Sequence, residues 1–165
     1  MDERVKTIEQ VADMIRGIRV AMLTTVDGDG ELHSRPMATL EIDFDGTLWF
    51  FTAADSEKAA DLERDARVNV CYADEPDARY VSLFGAARIV RDRRRMRDLW
   101  RPLQKAWFPG GLDDPELALL EVTVTGGDYW DAPSSRLVRL AGLVKGALTG
   151  GGMATGEHGH LDVHQ

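Results

Sequence analysis

Turn signals built on aspartate and glycine constrain this chain more than any other feature. Asp27-Gly28-Asp29-Gly30, Asp45-Gly46 and Asp74-Glu75-Pro76-Asp77 divide its first half into short β-branched and apolar segments. Asp and Gly tolerate the backbone angles that tight turns require, so the flanking segments read as hairpin strands. Those segments are Arg19 to Val26, Glu31 to Ile42, Thr47 to Thr52, Arg67 to Tyr72 and Arg79 to Val90. Leu117 to Thr125 and Arg136 to Leu140 read as further strands.

Helical spacing appears only at separated places. Val5, Ile8, Ala12, Ile15 and Ile18 predict an amphipathic helix ending near Gly17. Ser56 predicts a capped helix through Ala66, with Ala59, Ala60 and Leu62 as its packing face. Asp92 to Trp107 predicts a helix with Met96, Leu99, Trp100 and Leu103 inward, and shorter helices are expected at Asp114 and over Ala141 to Leu148. Five or six hairpin-linked strands with scattered helices predict a mainly β, α+β domain in the form of an antiparallel barrel. Strict strand–helix alternation is missing, and so is a strand–GxGxxG–helix unit, which argues against a doubly wound dinucleotide fold.

A length of 165 residues suits one domain. Asp and Glu outnumber Lys and Arg by 28 to 20, a net charge of −8 that argues against nonspecific binding to nucleic acid or anionic membranes. A local basic patch can still bind one phosphate. No apolar run approaches the roughly 20 residues of a membrane helix. The charged start MDERVKTIEQ lacks the apolar centre of a signal peptide. Cys71 is the single cysteine, so an intrachain disulfide is impossible and a reducing cytoplasm is expected.

The chemistry concentrates between Leu32 and Leu62. A phosphate needs a cation and the free N–H groups of a helix start, and Ser56 with Lys58 supplies both. A ribityl chain suits small hydroxyls, and a flat isoalloxazine ring suits an apolar wall with a few main-chain donors and acceptors. Taken singly, these residues have simpler readings: Lys58 and Ser56 as a solvated helix start, Thr52 as a strand-edge residue, Met37 as core.

Four motifs in order, Ser34-Arg35-Pro36-Met37, Trp49-Phe50-Phe51-Thr52 with Ser56 and Lys58, Ala106-Trp107-Phe108-Pro109-Gly110-Gly111 and Tyr129-Trp130-Asp131, carry a resemblance. They resemble the pyridoxamine 5′-phosphate oxidase-like flavin-binding split barrels, and within them the bacterial general stress proteins. The resemblance spans Arg4 to Leu148. It implies one split-barrel domain over residues 1–148, followed by a flexible Gly- and His-containing tail over 149–165. It implies FMN as cofactor, with FAD and a deazaflavin left open. Arg35, Pro36 and Met37 would then lie against the ring and ribityl chain. Phe50, Phe51 and Thr52 would run along the flavin, and Ser56 and Lys58 would hold its phosphate.

The resemblance further implies a homodimer with the flavin in the groove between subunits, where Trp107 and Trp130 of the second copy cover the ring. Two departures stand out. Glu57 occupies a position where the vitamin oxidase has arginine, for which Arg35 could compensate. Arg139-Leu140-Ala141 stands where that enzyme has an Arg-x-His element that holds substrate. Oxidation of pyridoxamine phosphate is therefore not expected. The implied function is a flavin-dependent oxidoreductase of an unidentified small molecule. The alternatives are a non-catalytic flavin store or sensor, and a structural dimer that has lost the cofactor.

His158, His160, Asp162 and His164 invite a metal reading, but their glycine-rich flanks provide no scaffold to fix ligands, so no metal is expected. His33 reads as a surface strand residue, Cys71 as a small core residue, and Asp92-Arg93-Arg94-Arg95 as a solvated helix start.

Overall fold

A computed structural model describes residues 3–131 and 157–163. In chain order these form α1 (Glu3–Ile15), β1 (Val20–Val26), β2 (Leu32–Ala38), β3 (Thr47–Ala53), α2 (Glu57–Arg64), β4 (Arg67–Asp74), β5 (Arg79–Val90), α3 (Arg93–Leu99), two 3-10 turns (Pro102–Ala106 and Gly111–Asp113), β6 (Leu117–Asp131) and β7 (Glu157–Asp162). Among the described residues every strand pairing is antiparallel, in the order β2-β1-β4-β5-β6-β3, with β7 beside β6.

The turn chemistry does what the sequence suggests at β1–β2. The Asp27 carboxylate accepts the backbone N–H groups of Asp29 and Glu31 at 2.8 and 2.9 Å, and Gly30 takes a φ of +83°. Asp45-Gly46 acts differently. Instead of closing a hairpin with β2, it starts a strand that pairs with β6. β2 ends at Ala38 rather than Ile42, and Thr39 hydrogen-bonds back to Arg19 and Ile18. The sheet edges β2 and β3 approach each other without pairing. That gap leaves the barrel split.

β6 is the central strand. Its first half pairs with β3 and its second half with β7, while β5 runs along its other edge. The β5–β6 register slips between Phe84 and Gly85. There the chains approach so closely that a Cβ on Gly85 would sit 2.0 Å from the Thr123 carbonyl oxygen, so glycine is required. The slip lets β6 face the interior with Val122 and Val124 before the bulge and with Tyr129 after it.

The inner face packs Leu23, Phe50, Val70, Leu83, Leu120 and Val122 with Val11 and Met14 of α1 and Leu62 of α2. A second cluster lies on the outer face, where Met96, Trp100 and Phe108 cover Phe51, Leu117 and Leu119. Phe51 meets Trp100 edge-on at 5.2 Å between ring centroids.

Several expectations need correction. The helix expected over Asp92 to Trp107 breaks after Leu99, because Pro102 forces Arg101 into extended backbone (φ −127°, ψ 148°). Leu103, expected inward, is consequently exposed. β6 continues to Asp131 instead of stopping at Thr125, so Tyr129 and Trp130 lie within a strand. Ala60 is exposed on α2, whose buried face is Ala59, Asp61 and Leu62. Cys71 is exposed because its position on β4 alternates outward. Within the stretch expected to be a flexible tail, residues 157–162 are a paired strand. Its Leu161 is 1% exposed in the inner core. The strand and helix expected over Arg136 to Leu148 lie outside the described residues.

Leu161 yields a direct check. Leu161→Ala should cost about 2–4 kcal/mol in urea unfolding, the usual scale for deleting a buried leucine side chain. A loss below about 0.5 kcal/mol, typical of an exposed site, would show that β7 is not part of the core.

Candidate functional site at the split

The unpaired edges of the sheet bring two cations together. Arg35 projects from β2, and its Nη1 donates to Thr25 Oγ1 at 2.7 Å. Lys58 projects from the first turn of α2, and its Nζ donates to Thr52 Oγ1 at the end of β3 at 2.5 Å. Both threonines are buried, 0% and 1% exposed, so the two hydroxyls anchor the cations from within the core.

Local sequence explains each position. Alternation along β2 turns Arg35 to the same side as Met37, opposite the exposed Pro36. Alternation along β3 puts Phe50 and Thr52 on the inner face and Phe51 on the outer. Ser56 caps α2 by accepting the Ala59 N–H at 3.3 Å, which sets Lys58 one turn from the end of β3.

Electrostatics mark this as a site under tension. Burial lowers the pKa of Lys58, and the neighbouring Arg35 charge lowers it further. Burial also weakens the proton affinity of Arg35, partly offset by the Asp61 and Glu57 carboxylates. Neither cation has a carboxylate within 4 Å among the described residues. Asp61 is engaged elsewhere, accepting from Arg64 Nη2 at 2.7 Å. Two half-buried like charges with unused N–H donors are stabilised by an anion that bridges them. A phosphate monoester fits this donor set.

The expected site residues are therefore distributed as follows. Arg35, Thr52, Ser56 and Lys58 gather at the split. Pro36 is exposed, and Met37 and Phe50 are members of the inner core. Phe51 belongs to the outer cluster. Trp107 is 60% exposed on the 3-10 turn after α3. Trp130 is 44% exposed on the outer face of β6, its ring stacked on His158 at 5.1 Å. No hydrogen bond or ring contact joins either tryptophan to the Arg35–Lys58 pair among the described residues. Thr25 and Asp61 were missed from sequence. Only the β1–β2 register could have pointed to Thr25.

His158 and His160 both lie near Asp128 Oδ1, at 3.9 and 3.1 Å. Among the described residues, no group of three or more His, Cys, Asp or Glu side chains is arranged to hold a metal ion. No described helix is long and apolar enough to cross a membrane.

The model of the family described as pyridoxamine 5′-phosphate oxidase like matches residues 6–153. The chain belongs to that pyridoxamine 5′-phosphate oxidase-like family. Protein bli-3 of Neurospora crassa is 29% identical over 153 residues, covering 87% of this chain and 73% of the relative. The crystal structure of a candidate general stress protein 26 from Jannaschia sp. CCS1 superposes with a TM-score of 0.73 at 25% identity, covering 95% of this chain and 98% of that one. The general stress FMN/FAD binding protein of Xanthomonas citri superposes with a TM-score of 0.68 at 32% identity, covering 79% and 92%. These neighbours share the family's split-barrel fold, and the open β2–β3 edge of this chain is the split.

The depressed Lys58 pKa has a signed consequence in the ligand-free protein. Folded Lys58 holds its proton less tightly than unfolded Lys58. Its destabilising effect is thus present at lower pH and is relieved as pH rises toward the ordinary lysine value. Urea unfolding between pH 7 and 10.5 in anion-poor buffer should show the parent gaining stability relative to Lys58→Gln as pH rises. Parallel curves would mean that Lys58 is not under electrostatic tension.

Proposed function

We propose that this protein binds FMN, with the phosphate on Arg35 and Lys58, and acts as a flavin-dependent oxidoreductase on a small molecule. The observation that carries the reading is the Arg35–Lys58 pair at the split. Two cations without carboxylate partners, held by buried threonine hydroxyls, form a receptor for a dianion. The FMN/FAD binding activity named for the Xanthomonas citri relative supports the same assignment.

The bound flavin would supply the redox chemistry, and the protein would supply position and electrostatics. Arg35 and Lys58 would neutralise the phosphate, and the Ser56-capped start of α2 would add backbone donors. The Arg35–Met37 backbone would border the ring and ribityl chain. Glu57 would oppose the phosphate, and Arg35 would take the place of the arginine that the vitamin oxidase carries there. The Ala141 position that argues against pyridoxamine phosphate oxidation lies outside the described residues.

A second copy would complete the site. Outside the patch covered by α3, the outer face of the sheet leaves Met22, Tyr80, Phe84 and Trp130 at 41%, 40%, 42% and 44% exposure. Alternating positions on neighbouring strands place these four on one face. An apolar strip of this kind suits an isologous homodimer. Trp107 and Trp130 would then reach the flavin from the partner. A non-catalytic flavin store is the competing reading. Anaerobic reduction with NADH or NADPH followed by reoxidation with candidate acceptors separates the two, since only an oxidoreductase completes the cycle rapidly.

Calorimetric titration tests the phosphate assignment. Lys58→Ala should weaken FMN binding by roughly 1.5–3 kcal/mol, the scale of a charge-assisted hydrogen bond. Riboflavin, which lacks the phosphate, should be little affected. Glu57→Arg should strengthen FMN binding by exchanging a repelling charge for an attracting one. Equal affinity of the parent protein for FMN and riboflavin would refute the assignment.

A further inference from the structure

Three charged groups meet at the split without neutralising one another. Arg35 and Lys58 bring two positive charges, and Asp61 brings a carboxylate. Asp61 follows Lys58 by three residues on α2, so the two share one side of the helix. Asp61 is buried and Glu57 is exposed. The Asp61 charge is therefore screened less, and it acts on Arg35 more strongly than that of Glu57.

A buried carboxylate beside two cations would ordinarily pair with one of them. Each of the three groups instead has a different partner. Arg35 donates to Thr25 Oγ1, Lys58 donates to Thr52 Oγ1, and Asp61 Oδ1 accepts from Arg64 Nη2 at 2.7 Å. Asp61 Oδ2 accepts no hydrogen bond among the described residues.

Two elements place Arg64. It closes α2, where a cation also suits the C-terminal end of the helix dipole. Its guanidinium lies against the β1–β2 turn, where a Cβ on Gly28 would sit 2.9 Å from Arg64 Nη1. The missing side chain at Gly28 leaves room for it. As a plain ion pair between residues three apart on a helix, with the arginine exposed, Arg64–Asp61 contributes little to stability. Its consequence for Asp61 is larger. Deprived of Arg64, a buried carboxylate with an unused oxygen either turns to the donors of Arg35 or stands as an uncompensated negative charge. Both outcomes oppose an anion at the split.

We propose that Arg64 is a positioning residue for the anion site: it holds Asp61 toward the β1–β2 turn and so leaves Arg35 free to bind a phosphate dianion. The inference rests on the FMN-phosphate reading and adds a residue that acts on the site through another. Arg64 makes no contact with Arg35 or Lys58 among the described residues, and its effect does not require it to touch the phosphate. With Arg64 in place, Arg35, Lys58, Asp61 and Arg64 together carry a net charge of +2, which matches a dianion.

Calorimetric titration of the full chain with FMN and with riboflavin is the test, with the folding of every variant checked by urea unfolding. Arg64→Met keeps the aliphatic stem and removes the charge. It should weaken FMN binding about tenfold, within the coupling usual in one network of hydrogen-bonded charges, and leave riboflavin binding unchanged. The double variant Asp61→Asn/Arg64→Met should bind FMN within about threefold of Asp61→Asn alone, because Arg64 then has no carboxylate to restrain. A parent that prefers FMN to riboflavin but is unaffected by Arg64→Met would overturn the inference and leave the phosphate reading intact. An equal loss with and without Asp61→Asn would also overturn it, by making Arg64 a simple attracting charge. Equal losses for FMN and riboflavin would do the same, by making Arg64 a support of α2. A parent that binds both flavins equally, or neither, would remove the phosphate reading and the inference with it.

Discussion

The repulsion between Arg35 and Lys58 is the interaction around which the candidate site is organised. Two cations are held near each other, each partly withdrawn from water and each tied to a buried threonine. Such an arrangement disfavours the ligand-free fold locally, so the scaffold must hold it in place. It does so by leaving β2 and β3 unpaired at the sheet edges while β1, β4, β5 and β6 form the continuous wall behind them. Had the barrel closed by pairing β2 with β3, the gap between their edges would be gone. The open seam costs strand–strand hydrogen bonds and keeps β2 and β3 apart where Arg35 and Lys58 stand.

Much of this was legible in the sequence because the determining signals are local. Asp27-Gly30 specified its own turn, Ser56 its own cap, and alternation along Thr47–Ala53 the inward face of β3. Of the residues the family resemblance grouped, Lys58 reaches Thr52 and feels the Arg35 charge, and Ser56 caps the helix that carries Lys58, because each sits close to a turn or cap that fixes its direction. What failed was non-local. Asp45-Gly46 looks like a hairpin turn, yet its following strand pairs with β6 about seventy residues later. No local rule announces that choice. Leu103 failed for a different reason. Its periodicity is helical, but Pro102 stops the helix and rotates the rest of the segment outward.

The long strand β6 shows how one element serves several needs. Its first half closes the outer cluster beneath α3, and its second half supports β7 and exposes Trp130. The bulge at Phe84/Gly85 links these roles by shifting the phase of alternation along the strand. Tyr129 and Trp130, beyond the strand end expected at Thr125, therefore take opposite faces of a sheet. Tyr129 is buried and donates its hydroxyl to Gln10 of α1, while Trp130 faces outward to stack on His158. Glycines at 156 and 159 disguised β7 as a flexible tail. Close packing explains Gly159, where an added Cβ would meet the Tyr129 hydroxyl oxygen at 2.1 Å.

Mass spectrometry of the small molecule released when the purified protein is denatured is the most direct check on the assignment of the Arg35–Lys58 pair. The account expects a phosphorylated flavin with the mass of FMN, close to one per chain, released from the parent and lost from a variant lacking both cations. Release of riboflavin without phosphate, or of no flavin from protein saturated with FMN during purification, would contradict it.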